Sequence, residues 1–262
     1  MTIQAVKRAL NILSLFSPSS PRLGIAEISR LMELPKPTVH GLVQTLLEEG
    51  YLSQDEQTRQ YMVGLRVVEM GSIFAGNLKI NQIGGELVQR MAANCHQHAR
   101  IAIWEKYTML ISFNAFPSVE SLIFQQVGPR VPAYCTSIGK AVLSTLDEEA
   151  LSAYLERTEI IRFTPGTITD KKELAACLEE VAVNGYAPEN GEFLLGLSCV
   201  GVPIYDDSFK AIGAISLSGT PEILREERLS EIVPQLIQTG LELSRRMGYH
   251  PETMPPLKRA VG

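Results

Sequence analysis

The sequence predicts an α+β protein with an N-terminal winged helix-turn-helix, a linker helix and a C-terminal domain built on an antiparallel sheet. Three short helical apolar patterns open the chain, and a hairpin pattern closes that first segment near residue 64. Beyond it, strand and helix patterns mix without strict β–α alternation, which favours an antiparallel sheet over a parallel one. The length of 262 residues suits two domains.

Composition narrows the class of protein. The chain is 45% hydrophobic and 20% charged, as in ordinary globular proteins, and no apolar run approaches the ~20 residues that cross a bilayer. The N-terminus lacks a signal-peptide pattern, so we expect a cytoplasmic protein without membrane contact. The cysteines are scattered, which argues against a disulfide framework or a zinc ribbon. They are Cys95, Cys135, Cys177 and Cys199.

Net charge alone does not suggest a nucleic-acid partner. The chain carries a formal charge of −5, but residues 1–80 hold eight Lys/Arg and seven Asp/Glu. The acidic excess therefore lies in the remainder of the chain. Such an asymmetry is compatible with a DNA-reading domain beside an acidic one.

The first helix pattern consists of Val6, Leu10 and Leu13, with Ile12 and Phe16 widening the apolar stripe. A second, shorter pattern over residues 25–32 stops at a proline-containing turn, 33–37.

The third helix pattern runs from about Pro37 to Glu49 and carries the functional argument. Its apolar residues share one face, and its opposite face is polar with little bulk. A short helix, a tight turn and a second helix of this kind make a helix-turn-helix, whose second helix enters the major groove. The alternative is a small helical bundle without a role in DNA binding. The apolar face holds Val39, Leu42, Val43 and Leu46.

A hairpin pattern follows the third helix. Residues 51–53 and 60–63 alternate as strands around a polar loop, and Arg59 in that loop can reach a phosphate or the minor groove.

Motifs along nearly the whole chain resemble one family, the isocitrate lyase regulator (IclR) family of bacterial transcription factors. In the first segment these are AVKRALNIL (5–13), LPKPTVH (34–40), LLEEGYL (46–52) and YMVGL (61–65). In the second they are YCTSIGKAVL (134–143), NGYA (184–187), GLSC (196–199) and AISLSG (214–219). Several motifs in one order are far more specific than a lone helix-turn-helix.

The resemblance implies a winged helix-turn-helix domain (1–64), a linker helix (65–76) and a GAF-like effector-binding domain (77–250). The proline-rich tail (251–262) is expected to be flexible on its own composition. It also implies a homodimer or homotetramer that binds double-stranded operator DNA under the control of a small molecule. Many relatives carry Ser at the position of Pro37 and Arg at that of Gly41. We therefore assign DNA contacts to other exposed positions, namely Lys36, Thr38, His40, Gln44, Thr45 and Arg59.

Two features indicate where an effector binds. Residues 134–139 lead into a helix whose free N–H groups attract anions, although Thr136 or Ser137 can instead cap that helix. Ser216 and Ser218 share one strand face, which is either solvent-facing or a pocket wall. The resemblance implies that the pocket is lined by Ser137, Ile138, Glu189, Cys199, Ser216 and Ser218 and takes a small carboxylate; Ile138 stands where many relatives have Gly or Ala.

The elements expected in the second domain comprise five helices and six strands. The helices are 80–98, 137–146, 148–156 and 171–184, with a last long helix over 221–247. The strands are 101–105, 109–114, 122–127, 186–189, 199–205 and 211–217.

Catalytic and metal motifs are weak. Cys95, His96 and His98 form C-H-x-H, but helical positions two apart do not share a face, so joint metal binding is disfavoured. Cys199 has no neighbouring histidine in sequence, and no G-x-S-x-G elbow is present. We expect a regulator that is not an enzyme and needs no cofactor or metal.

Two alternatives stay open at this point. One is an enzyme whose second domain is catalytic and whose first domain binds a protein; a general base within ~3 Å of a nucleophile would favour it. The other is a DNA-binding protein whose second domain only oligomerises; a filled core between Ser137 and Ser216 would favour it.

Overall fold

The computed structural model describes residues 2–117 and 128–251, and these form two compact units that meet between Asn77 and Leu78 in sequence. The strand expected over 122–127 and the tail beyond residue 251 lie outside the described residues.

The first unit contains four helices and a two-stranded antiparallel hairpin. Its elements are α1 (Gln4–Leu13), α2 (Ile25–Met32), α3 (Lys36–Glu48), β1 (Leu52–Gln54), β2 (Tyr61–Val63) and α4 (Leu65–Asn77). Ile12, Ile28, Val39 and Val43 are fully buried between the first three helices. Leu52 and Tyr61 extend this core onto the hairpin, so the wing is anchored to the helical bundle.

The helix expected at the start of the chain is present as α1, but only part of its apolar stripe faces the core. Ile12 and, less completely, Leu13 face the core, but Val6 is 54% and Leu10 59% exposed. Helical spacing identifies residues that share a face, but it does not say which of two apolar faces meets the core of the same chain.

The turn between α2 and α3 is tight. Glu33 adopts a left-handed conformation with φ of 53°, and the Ser29 hydroxyl donates a 2.6 Å hydrogen bond to the Leu34 carbonyl. The third helix then begins at Lys36, one residue earlier than expected, with Pro37 in its first turn. Proline is tolerated there because the N–H it lacks would have no partner within the helix.

Helix α4 has no buried residue, although it is rich in large apolar side chains. Those more than one third exposed are Leu65, Val67, Val68, Met70, Ile73 and Phe74.

The second unit is an α+β domain whose described residues form a six-stranded antiparallel sheet in the order β5-β4-β3-β8-β7-β6. The strands are β3 (His98–Glu105), β4 (Thr108–Ala115), β5 (Arg130–Pro132), β6 (Ala187–Asn190), β7 (Ser198–Tyr205) and β8 (Ala211–Gly219). The helices are α5 (Lys79–Cys95), α6 (Ser137–Leu143), α7 (Glu148–Arg157), α8 (Lys171–Asn184) and α9 (Glu226–Arg246).

Helices cover both faces of this sheet. On one face α5 and α9 pack over the odd-numbered apolar residues Ile101, Ile215 and Leu217. On the other face α6 packs over Ala102 and Ala214, with α8 beside it. Alternate residues of each strand therefore belong to different cores.

Two expected helices differ from the structure. The helix expected over 80–98 ends at Cys95, where His96 takes a left-handed conformation with φ of 52°, and His98 already belongs to β3. The helix expected over 221–247 is broken at Arg225, whose extended backbone separates a short 3-10 turn (Pro221–Leu224) from α9. Single-residue changes of backbone conformation of this kind leave little trace in apolar periodicity.

Among the described residues, no helix combines the length and the apolar character that a membrane span requires.

Candidate effector cavity and DNA-recognition surface

A cavity of about 430 Å³ lies in the second unit, on the sheet face that α6 covers. It is bordered by the start of α6, by β3 to β5 on one side, and by β6, β7 and the loop between them on the other. Five of the six residues expected to bind an effector line it: Ser137, Ile138, Glu189, Cys199 and Ser216. The core between Ser137 and Ser216 is therefore not filled, contrary to what a purely oligomerising domain predicts.

Strand register brings the polar wall together. Glu189 pairs with Cys199, which pairs with Ser218. One row further along the sheet, Arg100 pairs with Ser216. Since residues two apart on a strand share a face, both rows point toward α6.

Gly201 allows α6 to approach this wall. It lies in the second row opposite Ser216, and a Cβ built there would be 2.8 Å from the Ser137 carbonyl group. Any larger residue would push the start of α6 away from the sheet, so Gly201 sets the depth of the cavity at Ser137.

Glu189 is a buried carboxyl group held by the backbone. Its Oε1 accepts hydrogen bonds from the N–H groups of Glu192 (2.5 Å) and Phe193 (3.3 Å). Burial raises the pKa of Glu189 above its ordinary value, and the two backbone hydrogen bonds only partly oppose this. The group thus couples the cavity to the loop that follows β6.

Ser218 does not line the cavity but supports it. Its hydroxyl oxygen lies 3.2 Å from the Cys199 Sγ, and both Ser216 and Ser218 are only 2% exposed. The two hydroxyl groups therefore face the interior, and solvent exposure, the other possibility for this strand face, is wrong.

Cys199 is not poised as a nucleophile. Burial, followed by the charge of Glu189, raises the pKa of its thiol to about 12. A reactive cysteine needs a thiolate and so a lowered pKa. The carboxyl group nearest to Cys199 in the sheet therefore opposes the activation that an enzyme would require.

The start of α6 is a capped helix end. The Thr136 side chain accepts a hydrogen bond from the Gly139 N–H, 3.3 Å away, and donates one of 2.7 Å to the Pro132 carbonyl. The helix is only seven residues long. The capping interpretation is therefore confirmed, and an anion site made by this helix alone receives no support.

Arg100 is the charged group that sequence reasoning missed. It lines the cavity from β3, next to Ser216. Burial lowers the pKa of its guanidinium, and the negative potentials of Cys199 and Glu189 oppose that shift. A second arginine, Arg130, also lines the cavity but pairs with Glu105 near the surface.

No group of three or more His, Cys, Asp or Glu side chains within residues 2–117 and 128–251 has a geometry suited to a metal ion. Cys95, His96 and His98 lie at a helix end, in a left-handed turn and at the start of a strand, respectively.

The recognition helix α3 presents its polar face to solvent. Val39, Val43 and Leu46 are buried, while the five residues assigned to DNA on this helix are all exposed. These five are Lys36, Thr38, His40, Gln44 and Thr45.

Two of these side chains already have partners within the helix. The Gln44 amide donates to Glu48 at 3.1 Å, and the Thr45 hydroxyl donates to the Gly41 carbonyl at 3.1 Å. Gly41 is exposed between them, and a Cβ built there would meet nothing within 4 Å. The exposed face of α3 is therefore flat at Gly41, and Lys36 and His40 lie on the N-terminal side of that position.

Asp55 organises the wing. Its Oδ1 accepts hydrogen bonds from the backbone N–H groups of Gln57 and Thr58, and its Oδ2 pairs with Arg22 at 3.0 Å. These hydrogen bonds, that of Thr58 foremost, lower the pKa of Asp55. Arg59 follows in a left-handed conformation with φ of 58° and is exposed at the tip.

A winged helix-turn-helix with an exposed polar recognition helix, followed by a separate α+β domain with a polar cavity, defines the class of DNA-binding transcriptional regulators with a ligand-binding domain. Two family models match the chain: the IclR helix-turn-helix domain over residues 5–56, and the bacterial transcriptional regulator IclR C-terminal domain over residues 74–245. The chain belongs to the IclR family of transcriptional regulators.

Curated relatives span nearly the whole chain. The transcriptional regulator XynR of Escherichia coli is 32% identical over 247 residues, which covers 94% of this chain and 98% of XynR. The transcriptional repressor AllR of Salmonella typhimurium is 29% identical and covers 95% of this chain and 91% of its own length.

Solved structures show the same fold. The IclR transcriptional regulator of Alicyclobacillus acidocaldarius superposes with a TM-score of 0.83 at 24% identity, covering 95% of this chain and all of the other. An IclR homologue of Microbacterium hydrocarbonoxydans in complex with 4-hydroxybenzoate gives 0.77 at 20% identity, covering 94% and 99%.

Proposed function

We propose that this protein represses or activates genes by binding operator DNA through α3 and the wing, under the control of a small organic acid that binds in the cavity of the second unit. The observation that carries the proposal is the cavity itself. It combines apolar walls with a few buried polar groups, as small-molecule sites do, and it lies in a different unit from the DNA-binding surface.

The exposed face of α3 supports the assignment of DNA binding to the first unit. Lys36, at the start of the helix, suits a phosphate, whereas His40 and Gln44 lie further along the face, where base edges are read. Thr38 and Thr45 border that face, and Arg59 at the wing tip reaches the backbone or the minor groove.

The protein acts as a homodimer, or as a homotetramer built from two such dimers. On α4, six large apolar side chains are exposed in the single chain, and α1 adds Val6 and Leu10. So many exposed large apolar side chains close together in the sequence favour a protein interface. A second copy fits it because a two-fold dimer places two recognition helices one helical turn of DNA apart.

A carboxylic acid is the proposed effector class. Support comes from the arginines that line the cavity and from the solved relative that binds 4-hydroxybenzoate. Repression is the more specific direction suggested by AllR, which is named as a repressor. Binding changes DNA affinity only if the acid has different affinities for the two arrangements of the DNA-binding units.

Catalysis forms no part of the proposal. The Cys199 thiol is held protonated, and its hydroxyl partner Ser218 is fully enclosed. A regulator of bacterial genes works beside the chromosome, so we place the protein in the cytoplasm.

The direct test is a mobility-shift titration of the purified protein on the DNA upstream of its own gene, at two salt concentrations and with a panel of small carboxylates. We expect salt-sensitive, site-specific binding that at least one acid changes. Binding that is equal on unrelated DNA, or that no acid alters, would contradict the proposal.

A further inference from the structure

The end of the recognition helix α3 and the start of α4 meet at two glycines. Gly50 follows α3 in a left-handed conformation with φ of 75°, and its N–H donates to the Leu47 carbonyl at 3.1 Å. Gly64 lies between β2 and α4. A Cβ built on Gly64 would be 2.2 Å from the Gly50 carbonyl oxygen, closer than the 3.0 Å below which real Cβ atoms are essentially never found. The close approach of the two backbones therefore requires glycine at position 64.

Backbone hydrogen bonds complete this junction, which consists of Gly50, Tyr51, Gly64 and Arg66. The Gly64 N–H donates to the Tyr51 carbonyl at 2.8 Å, and the Arg66 N–H donates to the Gly50 carbonyl at 3.2 Å. The Tyr51 N–H in turn donates to the Leu46 carbonyl of α3 at 2.9 Å. All three bonds join main chain to main chain. They hold the first turn of α4 to the end of α3 without a flexible side chain as intermediary.

The wing leaves from the same junction. Leu52 in β1 pairs with Val63 in β2. Leu52 follows Tyr51 in the chain, and Val63 precedes Gly64. The recognition helix and the wing, the two elements assigned to DNA, are therefore both held in a set direction relative to α4.

The angle between α3 and α4 matters because α4 carries the proposed dimer surface. Phe74 on that surface lies ten residues beyond Gly64, about 15 Å along the helix. In a dimer held there, the separation of the two recognition helices depends on how each is set against its own α4. Half-sites about 34 Å apart must match that separation, and a change of one base pair moves a half-site by about 3.4 Å and turns it by about 35°.

We infer that Gly64 is a positioning residue for DNA recognition: its contact with Gly50 fixes the angle between α3 and α4 and thereby restricts the dimer to operators with one spacing between half-sites. The inference rests on the proposed function, because it needs a dimer held by α4. It assigns no contact with DNA to either glycine, so the effect on DNA binding acts through the placement of α3 and the wing.

The experiment uses the full-length protein and four duplexes based on the site that footprinting identifies upstream of its own gene. They are the site itself, the site with its halves one base pair closer, the site with its halves one base pair further apart, and one half-site alone. Fluorescence anisotropy gives the affinities of wild type, Gly64→Ala and Ile28→Val. The last variant is the control, since Ile28 is fully buried in the core of the same unit and is not part of the junction.

Wild type should prefer the natural spacing over either altered spacing by about tenfold or more, because an altered site aligns only one recognition helix at a time. In Gly64→Ala the added Cβ must push the two backbones apart. We expect binding to the natural site to weaken about tenfold, equivalent to about 1.4 kcal/mol, and the preference for its spacing to fall below about threefold or to move to another spacing. Binding to the half-site should stay within about twofold. Ile28→Val should keep the spacing preference of wild type.

A folded Gly64→Ala variant with the spacing preference of wild type would overturn the inference and leave the proposed function intact. So would an equal loss on all four duplexes, which would show that Gly64 only supports the fold of the DNA-binding unit. Wild type that binds all three spacings equally well, and more tightly than the half-site, would also overturn the inference alone. If wild type binds the whole site no better than the half-site, the proposed dimer on DNA fails, and the inference fails with it.

A second variant keeps the test decisive if Gly64→Ala does not fold. Arg66→Pro removes the N–H that donates to the Gly50 carbonyl, and proline is tolerated in the first turn of a helix. We expect the spacing preference to fall about threefold, with binding to the half-site unchanged. An unchanged spacing preference in this variant would contradict the role of the junction.

Discussion

Lys140 on α6 donates a 2.5 Å hydrogen bond to Glu192 in the loop after β6, and this ion pair is almost completely buried, with side-chain exposures of 2% and 9%. Each partner lies three residues from a cavity wall, Lys140 from Ser137 and Glu192 from Glu189. Thr167 adds a 2.6 Å hydrogen bond to the Glu192 carbonyl. The pair therefore fastens one wall of the cavity to the opposite one.

Removing only one member of this pair should be costly. Lys140→Met leaves the Glu192 carboxylate buried without its cation, and we expect a loss of about 3–5 kcal/mol in the free energy of unfolding. The double variant Lys140→Met, Glu192→Leu should recover most of that loss, since apolar replacements of a buried pair are often neutral. Denaturant titration followed by the fluorescence of Trp104, the only tryptophan, reports on this unit. A single variant as stable as wild type would show that the pair is unimportant, and a double variant as unstable as the single one would show that the loss does not come from an unpaired buried charge.

Gly41→Ala separates stability from DNA binding. Nothing lies within 4 Å of a Cβ at this exposed helical position, so alanine should stabilise the first unit by about 0.5–1 kcal/mol. If the flat centre of α3 lets its backbone approach DNA, the same variant should bind the operator about tenfold more weakly, equivalent to about 1.4 kcal/mol. Thermal unfolding and a mobility-shift titration measure the two effects. Unchanged DNA affinity would show that the glycine has no role in recognition.

Substitutions at Lys36 and at Gln44 should affect DNA binding in different ways. Lys36→Ala should weaken binding to all DNA sequences and reduce the slope of log affinity against log salt by about 1, because one phosphate contact is lost. Gln44→Ala should leave the slope unchanged and cost about 1–3 kcal/mol on the operator only. Fluorescence anisotropy with operator and scrambled duplexes at several salt concentrations distinguishes them. A salt effect for Gln44→Ala would contradict the assignment.

The α4 surface should hold the dimer. Phe74→Glu places a charge among apolar side chains, where it would be buried in the interface, and we expect mostly monomer at micromolar concentration. Val183→Glu is the control, since Val183 is likewise an exposed apolar helix residue but lies on α8 in the other unit. Analytical ultracentrifugation measures the molecular mass of wild type and of each variant in solution. Dissociation by both variants, or by neither, would contradict an interface on this face.

Local patterns predicted much of this fold, and the reasons for the failures are physical. The bounds expected for α8 agree with the structure because Asp170 caps it and Gly185 ends it. In contrast, Arg100 lies two strands from Cys199, and only the pairing of β3 with β8 places the arginine beside Ser216. A single sequence carries no record of that register.

The exposure of half of the apolar stripe on α1 has a related reason. Val6 and Leu10 are as apolar as Ile12, and periodicity groups them correctly. Whether an apolar face meets the core of its own chain or a second copy depends on assembly, which one chain's pattern does not encode. The polar residues of the cavity were predicted from the family resemblance. The alternation of polar and apolar residues along a strand is the same whether its serines face the interior or the solvent.

Glu189 gives a prediction about pH. Because burial raises its pKa above the ordinary 4.5, the folded state favours the protonated carboxyl group more than the unfolded chain does. Its contribution to stability is therefore complete below the ordinary pKa and is lost as the pH rises through the raised one. Each unit of elevation is worth about 1.4 kcal/mol. Glu189→Gln removes this titration while keeping an oxygen for the Glu192 N–H, so the variant should gain stability relative to wild type as the pH rises from the ordinary pKa of 4.5 through the raised one. Denaturant titrations at four pH values measure the difference. A constant gap would show that folding leaves the pKa of Glu189 unchanged, and a gap that moves in favour of wild type as the pH rises would show that the folded protein stabilises the carboxylate.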